Sequence, residues 1–446
     1  MSLVLVSRES CLGSKFIGKV ATMKQSLQKV SLSPGVKRFL ATESLYGLSI
    51  GMFTLILNLH LIEMGISEKQ IGFITSMGIL LKGIFAIIVT FLVKKIGRKK
   101  LLVSGVGSVA LGCMIFALSK SFLILFMAQL IVSIGFTLVE TTEIQLLFYY
   151  SRSKREETQA YSFLFAVFTA FTGVGTLLAG YLPKWIDSSG IGYQNTLLVT
   201  SLVFVLLVCA RVVLLPKEQR QTKEPPRQSG RTYSSFLIKE PSRGLRQKLL
   251  LFSIMAFLTG GAVSSLQPYL NLFVKFRYDF SNESVSILLA LNGLALFIGS
   301  IFSPFLIERL GTKKTFFYIY LVNVIFCFIL FLNIPAYVFS MLLVVRGGTF
   351  TMLTNLVDSL SMSSFRDEDR DAYAGMSVVF RSIGSALIAF VIGSILSGKN
   401  YTLPFLLTGV FLLIGYLYFI QVIIPNYFET KRVFHTTNQE QLTNEE

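Results

Sequence analysis

Charge is scarce in this sequence. Asp, Glu, Lys and Arg make up 15% of its 446 residues, against about 25% in ordinary soluble domains. Hydrophobic residues make up 53%, and mean hydropathy is +0.65. A water-soluble fold could not hide that much apolar surface, and a disordered chain needs low hydrophobicity. Cysteine is equally sparse: Cys11, Cys113, Cys209 and Cys327 form no CxxC pair, and three of them lie in apolar runs. That excludes a disulfide framework and a cysteine-based zinc site. The two histidines are His60 and His435. His60-Leu61-Ile62-Glu63 is not HExxH, so an intramembrane metalloprotease is not expected, nor is a Ser–His hydrolase. No metal, no cofactor and no enzymatic activity are expected.

Long apolar runs are abundant instead. A bilayer core of about 30 Å takes roughly 20 apolar residues as a helix. Such runs lie at about 40–63, 71–93, 101–119, 121–149, 160–183 and 194–215, then at 248–274, 285–307, 315–333, 336–363, 372–397 and 401–424. These are spans 1 to 12. The expected segments are a cytoplasmic N-terminal extension (1–38), a six-helix bundle (39–215), a cytoplasmic linker (216–247), a second six-helix bundle (248–424) and a cytoplasmic tail (425–446). The start of the chain lacks the apolar core of a secretory signal. It is basic and reads as a surface extension, with an organellar transit peptide as the competing reading.

Cations outnumber acids by 41 to 24, a net charge of +17. With both termini cytoplasmic, 31 of the 41 fall on that side, six on the other and four within spans. This alternation is a positive-inside signal. It accounts for the high isoelectric point without nucleic acid, and membrane lipids are the expected partners of the basic loops.

The six-plus-six layout contains a repeat. The loop after span 2 reads Lys94-Lys95-Ile96-Gly97-Arg98-Lys99-Lys100, and that after span 8 reads Glu308-Arg309-Leu310-Gly311-Thr312-Lys313-Lys314. Gln159-Ala160-Tyr161 before span 5 matches Asp371-Ala372-Tyr373 before span 11. On these residues the chain, over about 37 to 425, resembles the major facilitator superfamily of secondary transporters. That family's span 2–3 loop has the form G-x-x-x-D-[RK]-x-G-R-[RK]. Lys95, Gly97, Arg98 and Lys99 match it, with Thr90 and Lys94 at the leading Gly and Asp positions. Glu308, Arg309 and Gly311 carry the second copy. Span 5, with Gly173, Gly175 and Gly180, is similar in loose form to the Gly-rich span of the family's antiporters. In-span glycines are expected to allow close helix packing rather than to cradle phosphate. The resemblance implies an all-α integral membrane protein with 12 transmembrane helices in two pseudo-symmetric six-helix bundles.

Ionisable groups inside a span are functional candidates. Glu140 and Glu143, three apart on span 4, share a helix face. Two such carboxylates repel, so one is expected to hold a proton that it can exchange. The competing reading is a latch in which one of them pairs with Arg98 or Lys99. On spans 10 and 11, Asp358 and Arg381 lie at comparable depth and are expected to pair. Arg346 is deeper, and either attracts an anionic substrate or neutralises Glu140 or Glu143. Asn355 stands at the repeat position of Glu143. Lys82, mid-span, is expected to face the cavity and pair with a carboxylate. Gln267 and Asn271, four apart beside Pro268, are expected to face one side, as substrate contacts or as helix–helix glue. His60 near the end of span 1 reads as solvated.

These features lead to a secondary active transporter that works by alternating access. Its partners are a small-molecule substrate and protons, without nucleic acid. Proton-coupled efflux across the plasma membrane, by a monomer, is the first expectation. The alternatives are a proton symporter or facilitator for a sugar or other metabolite, and a transporter of a lipid-linked substrate.

Overall fold

The computed structural model describes residues 32–186, 191–218, 243–366 and 369–425. The expected N-terminal extension and tail, and most of the linker, lie outside the described residues. Among the described residues every regular element is helical, and twelve helical segments are long and apolar enough to cross a membrane. Spans 1 to 6 are Pro34–Glu63, Glu68–Val93, Arg98–Leu118, Phe122–Tyr150, Lys154–Ile186 and Gly192–Leu214. Spans 7 to 12 are Gly244–Arg277, Asn282–Leu310, Lys314–Phe331, Ala336–Ser363, Ala372–Ser397 and Leu403–Ile423.

Local signals set the ends of several helices. Ser33 Oγ accepts from the Val36 N–H at 3.3 Å, with Pro34 at the first helical position, where its missing N–H is no loss. Ser67 and Gln70 form a capping box at the start of span 2. Gly97 (φ +92°) and Gly311 (φ +77°) make the turns after spans 2 and 8. A side chain there would be strained, so glycine is required at the same place in both halves. Spans 1 and 5 begin earlier than hydropathy predicts. Glu156 explains this: its carboxylate accepts from the Ser33 N–H at 2.6 Å and from the Arg152 N–H at 2.7 Å, so a polar first turn is helical and satisfied.

Span 7 is not one helix. Arg243–Ser264 and Leu270–Arg277 are separated by a 3₁₀ turn, Gln267–Tyr269. Pro268 lacks the N–H that the ladder needs.

The two halves repeat one packing scheme. Span 1 packs on 5 and 6, span 3 on 4 and 6, and span 2 on 4. Span 7 packs on 11 and 12, span 9 on 10 and 12, and span 8 on 10. The halves meet along two seams, span 2 with 11 and span 5 with 8. On the first, Gly72 and Gly393 bring the backbones together so closely that a Cβ on either would strike the other's Cα. On the second, Gly180 packs against Ser286. Hydrogen bonds and an ion pair close the same end of the molecule. Lys184 lies 3.8 Å from Glu283, and the Tyr193 hydroxyl donates to Asn282 at 2.7 Å. Further along the seams Gly83 meets Ser382, and Phe165 stacks on Phe297 at 6.0 Å. This closed end is the one opposite the starts of spans 1 and 7.

Candidate functional site

Among the described residues, three ion-paired clusters join different spans of the same half. The first lies where spans 1, 4 and 6 meet. Arg211, wholly buried on span 6, holds Glu43 of span 1 at 2.9 Å and Glu143 of span 4 at 3.3 Å, both through Nη2. Glu43 is 1% exposed and Glu143 15%, so the cluster opens only on the Glu143 side. The Arg211 guanidinium also lies over the rings of Tyr46 (5.0 Å) and Phe39 (5.7 Å), an arrangement that favours a desolvated cation. The two carboxyls converge on that one nitrogen, Nη2. With one proton, two carboxyls and one guanidinium are neutral overall. Without it, the buried cluster carries a net negative charge, which burial opposes. Arg211 Nε and Nη1 have no partner.

The second cluster is Lys82 of span 2, whose Nζ donates to Glu140 of span 4 at 2.7 Å. The side chains are 32% and 58% exposed. The ammonium also lies 5.5 Å from the Phe136 ring centre. The third is Arg381 of span 11, which grips both oxygens of Asp358 on span 10, with Nη1 at 3.2 Å from Oδ2. These side chains are 36% and 46% exposed. Both pairs stay within their own half. Together with the closure at the far end, their partial exposure fits a cavity that opens toward the starts of spans 1 and 7.

The structure therefore gives Lys82 and Glu140 to each other, as it does Asp358 and Arg381. It separates Glu143 from Glu140: one faces the buried arginine, the other the cavity. Neither Glu140 nor Glu143 pairs with Arg98 or Lys99 in this structure. Lys99 Nζ instead donates to the carbonyls of Val212 and Leu215 at 3.0 and 2.5 Å. Its backbone N–H donates to Glu218 at 3.2 Å. Arg98 lies over the Tyr149 ring at 5.9 Å. The loop motif thus ties span 3 to the end of span 6 inside one half. Lys95 is exposed, and in the second copy Arg309 lies 4.6 Å from the ring centre of Phe305, four residues back on its own helix. Glu308 precedes it at the end of span 8.

Arg346 does not reach across to Glu140 or Glu143. It is 6% exposed, its Nε lies 3.3 Å from Cys327 Sγ of span 9, and its guanidinium lies over Phe350. The helix phase turns it into its own half, away from the cavity. Asn355 is exposed and donates to Ser300 of span 8 at 3.1 Å.

Gln267 and Asn271 do not share a face, because the 3₁₀ turn between them breaks the four-residue register. Gln267 is exposed. Asn271 is buried and joins the halves: it donates to the Leu55 carbonyl at 2.8 Å and accepts from Asn58 at 3.3 Å. Asn58 also donates to the Pro268 carbonyl at 2.7 Å. His60 is 2% exposed rather than solvated, with Nε2 at 3.3 Å from the Phe116 carbonyl.

Sequence reading missed Glu43 and Arg211 as partners. Arg211 lies in the last turn of span 6, where an arginine ordinarily snorkels to the interface. Matched depths on spans 1, 4 and 6 would have been the signal.

The model of the Major Facilitator Superfamily matches residues 39–389 and 252–439. The chain belongs to that family. Over 332 residues, 72% of this chain and 78% of the relative, it is 22% identical to "Multidrug resistance protein 2" of Bacillus subtilis (strain 168). Solved structures share the major facilitator fold. The nucleoside transporter NupG superposes with a TM-score of 0.69 at 15% identity, over 86% of this chain and 98% of that one. A bacterial homologue of the human lysosomal transporter Spinster, solved inward-facing and unoccupied, gives 0.65 at 13% identity, over 86% and 95%. This is therefore a transporter-type integral membrane protein.

Proposed function

We propose that this protein is a secondary active transporter that exports a small molecule in exchange for protons. One chain is the working unit, in the plasma membrane with both termini cytoplasmic. The observation that carries the proposal is the Glu43–Arg211–Glu143 cluster. Two carboxyls sharing one buried guanidinium form a site that is neutral with one proton and charged without it. Its less buried member is Glu143, whose side chain is 15% exposed. Alternating access moves the halves against each other, so the site can take a proton from one side and release it to the other. The likeness to a multidrug resistance protein supports export, and the excess of cations on one set of loops supports the orientation.

The test uses purified protein in liposomes with a pH-sensitive dye inside. Nucleosides, sugars and lipophilic drugs are added in turn under an imposed pH gradient. Wild-type protein should move protons when its substrate is present. Glu143→Gln should lose gradient-driven transport and keep substrate exchange. Full pH-driven transport by Glu143→Gln would remove the cluster from coupling. A nucleoside as substrate would move the reading from drug export to nucleoside transport, the activity named for NupG.

A further inference from the structure

Lys82 and Arg381 belong to different halves, yet they stand side by side. Gly83 of span 2 and Ser382 of span 11 are in direct contact, and each cation is the residue just before its contact point. Span 2 and span 11 run in opposite directions, since one is entered from the closed end and the other leaves toward it. One residue turns a right-handed helix by about 100°. For two antiparallel helices touching at Gly83 and Ser382, stepping back one residue on each turns both side chains to the same side of the seam. That side is the cavity, because Arg381 reaches Asp358 on span 10 and Lys82 reaches Glu140 on span 4. The acids are held apart on spans 4 and 10, one in each half. The order across the cavity wall is acid, cation, cation, acid, with the closing seam between the two cations.

From this order we propose that Lys82 and Arg381 together form the recognition site for an anionic group of the transported molecule, a carboxylate or phosphate. Glu140 and Asp358 are the counter-ions that occupy the cations when the site is empty. Two like charges across a seam repel when unpaired. A single anion placed between them touches both halves at once, and so binds one arrangement of the seam better than the other. That differential contact is what a substrate must supply to bias alternating access. No single cationic group can bridge Glu140 and Asp358 in the same way. Both cations have donors to spare: Lys82 Nζ uses one of its three on Glu140, and the guanidinium of Arg381 carries five. Phe136, beside Lys82, adds an apolar wall. The inference deepens the transport reading above and rests on it for the word substrate.

The test reads binding alone, by thermal unfolding of the full chain in phosphatidylcholine nanodiscs. The probes are benzoate and phenyl phosphate, with neutral benzamide and cationic benzamidine as isosteres. The anions should stabilise the protein and the isosteres should not. Lys82→Gln and Arg381→Gln should each weaken anion binding about tenfold, in keeping with loss of a charge-assisted contact. Lys82→Arg and Arg381→Lys should largely retain it. Glu140→Gln and Asp358→Asn free a cation and should tighten binding severalfold, a gain that misfolding cannot produce. Exchanging part of the lipid for phosphatidylglycerol separates the two sources of the anion. Stabilisation that depends on Lys82 and blocks benzoate identifies a lipid headgroup; an unchanged benzoate response identifies a soluble anion. Preferential binding of benzamidine, no response to either anion, or weaker anion binding in Glu140→Gln would overturn the proposal. Proton-coupled transport of a cation would sustain the transport reading while refuting this one, and anion binding without flux would do the reverse.

Discussion

The two halves of this protein share a packing scheme but fill one corner of it differently. In the first half, spans 1, 4 and 6 meet on Glu43, Glu143 and Arg211. In the second half, spans 7, 10 and 12 meet on Phe252, Met255, Leu356, Phe419 and Ile423, all in one apolar cluster. Phe419 stacks on Phe316 at 4.0 Å. By the repeat, Asn355 stands where Glu143 stands, polar but uncharged. The same architecture is therefore built largely with hydrocarbon in one half and with three charges in the other. Burying ions is costly, and apolar residues of similar volume are often as stabilising or more so. The second half shows that this packing scheme can be built around an apolar cluster, and the proposed proton site would give the charges of the first half a use.

That comparison can be broken in steps. The largest expected effect is from Arg211→Met, which strands two carboxyls in a dry corner. Removing one partner of a buried ion group costs about 3–5 kcal/mol, and thermal or denaturant unfolding in detergent would register it. Replacing all three residues together, Glu43→Met, Glu143→Leu and Arg211→Leu, puts hydrocarbon of similar size in place of the charges. Stability should return to near or above wild type while pH-driven transport is lost. A triple variant as unstable as Arg211→Met would mean that the charges are structural. A smaller effect is expected at the Asp358–Arg381 pair, which is partly exposed. Its coupling in a double-mutant cycle with Asp358→Asn and Arg381→Gln should be about 1 kcal/mol or less, as for solvated ion pairs. The smallest stability effect should come from Asn271→Ala, about 1 kcal/mol for lost hydrogen bonds. It should be accompanied by faster hydrogen exchange in Leu270–Arg277, because Asn271 fastens that short helix to span 1.

Much of this was legible in the sequence. Twelve spans follow from hydropathy and length, and the repeated Gly97 and Gly311 turns reveal two equivalent halves. Equal depth sufficed to pair Asp358 with Arg381, and an isolated mid-span cation sufficed to predict a carboxylate partner for Lys82. The illegible part concerns helix phase relative to neighbours. Glu140 and Glu143 share a helix face in isolation, but spans 2 and 6 approach span 4 from different sides and take one acid each. Arg346 looked free to cross the cavity, but its side chain is turned toward span 9. A break in a helix also defeats register. The four-residue spacing of Gln267 and Asn271 carried no information once Pro268 had interrupted the ladder between them. The basic loop motif looked like a gate, and yet Lys99 had carbonyls of its own half within reach at the end of span 6.

The central claim is that the buried corner of the first half carries an exchangeable proton. Infrared difference spectroscopy on the purified protein, between acid and alkaline buffer, reads this directly through the carbonyl stretch of a protonated carboxyl. The account predicts a band that appears on acidification in the wild type. It predicts that the band is diminished in Glu143→Gln and absent when Glu43→Gln is added. A band that persists unchanged in the double variant, or no band at all in the wild type, would contradict it.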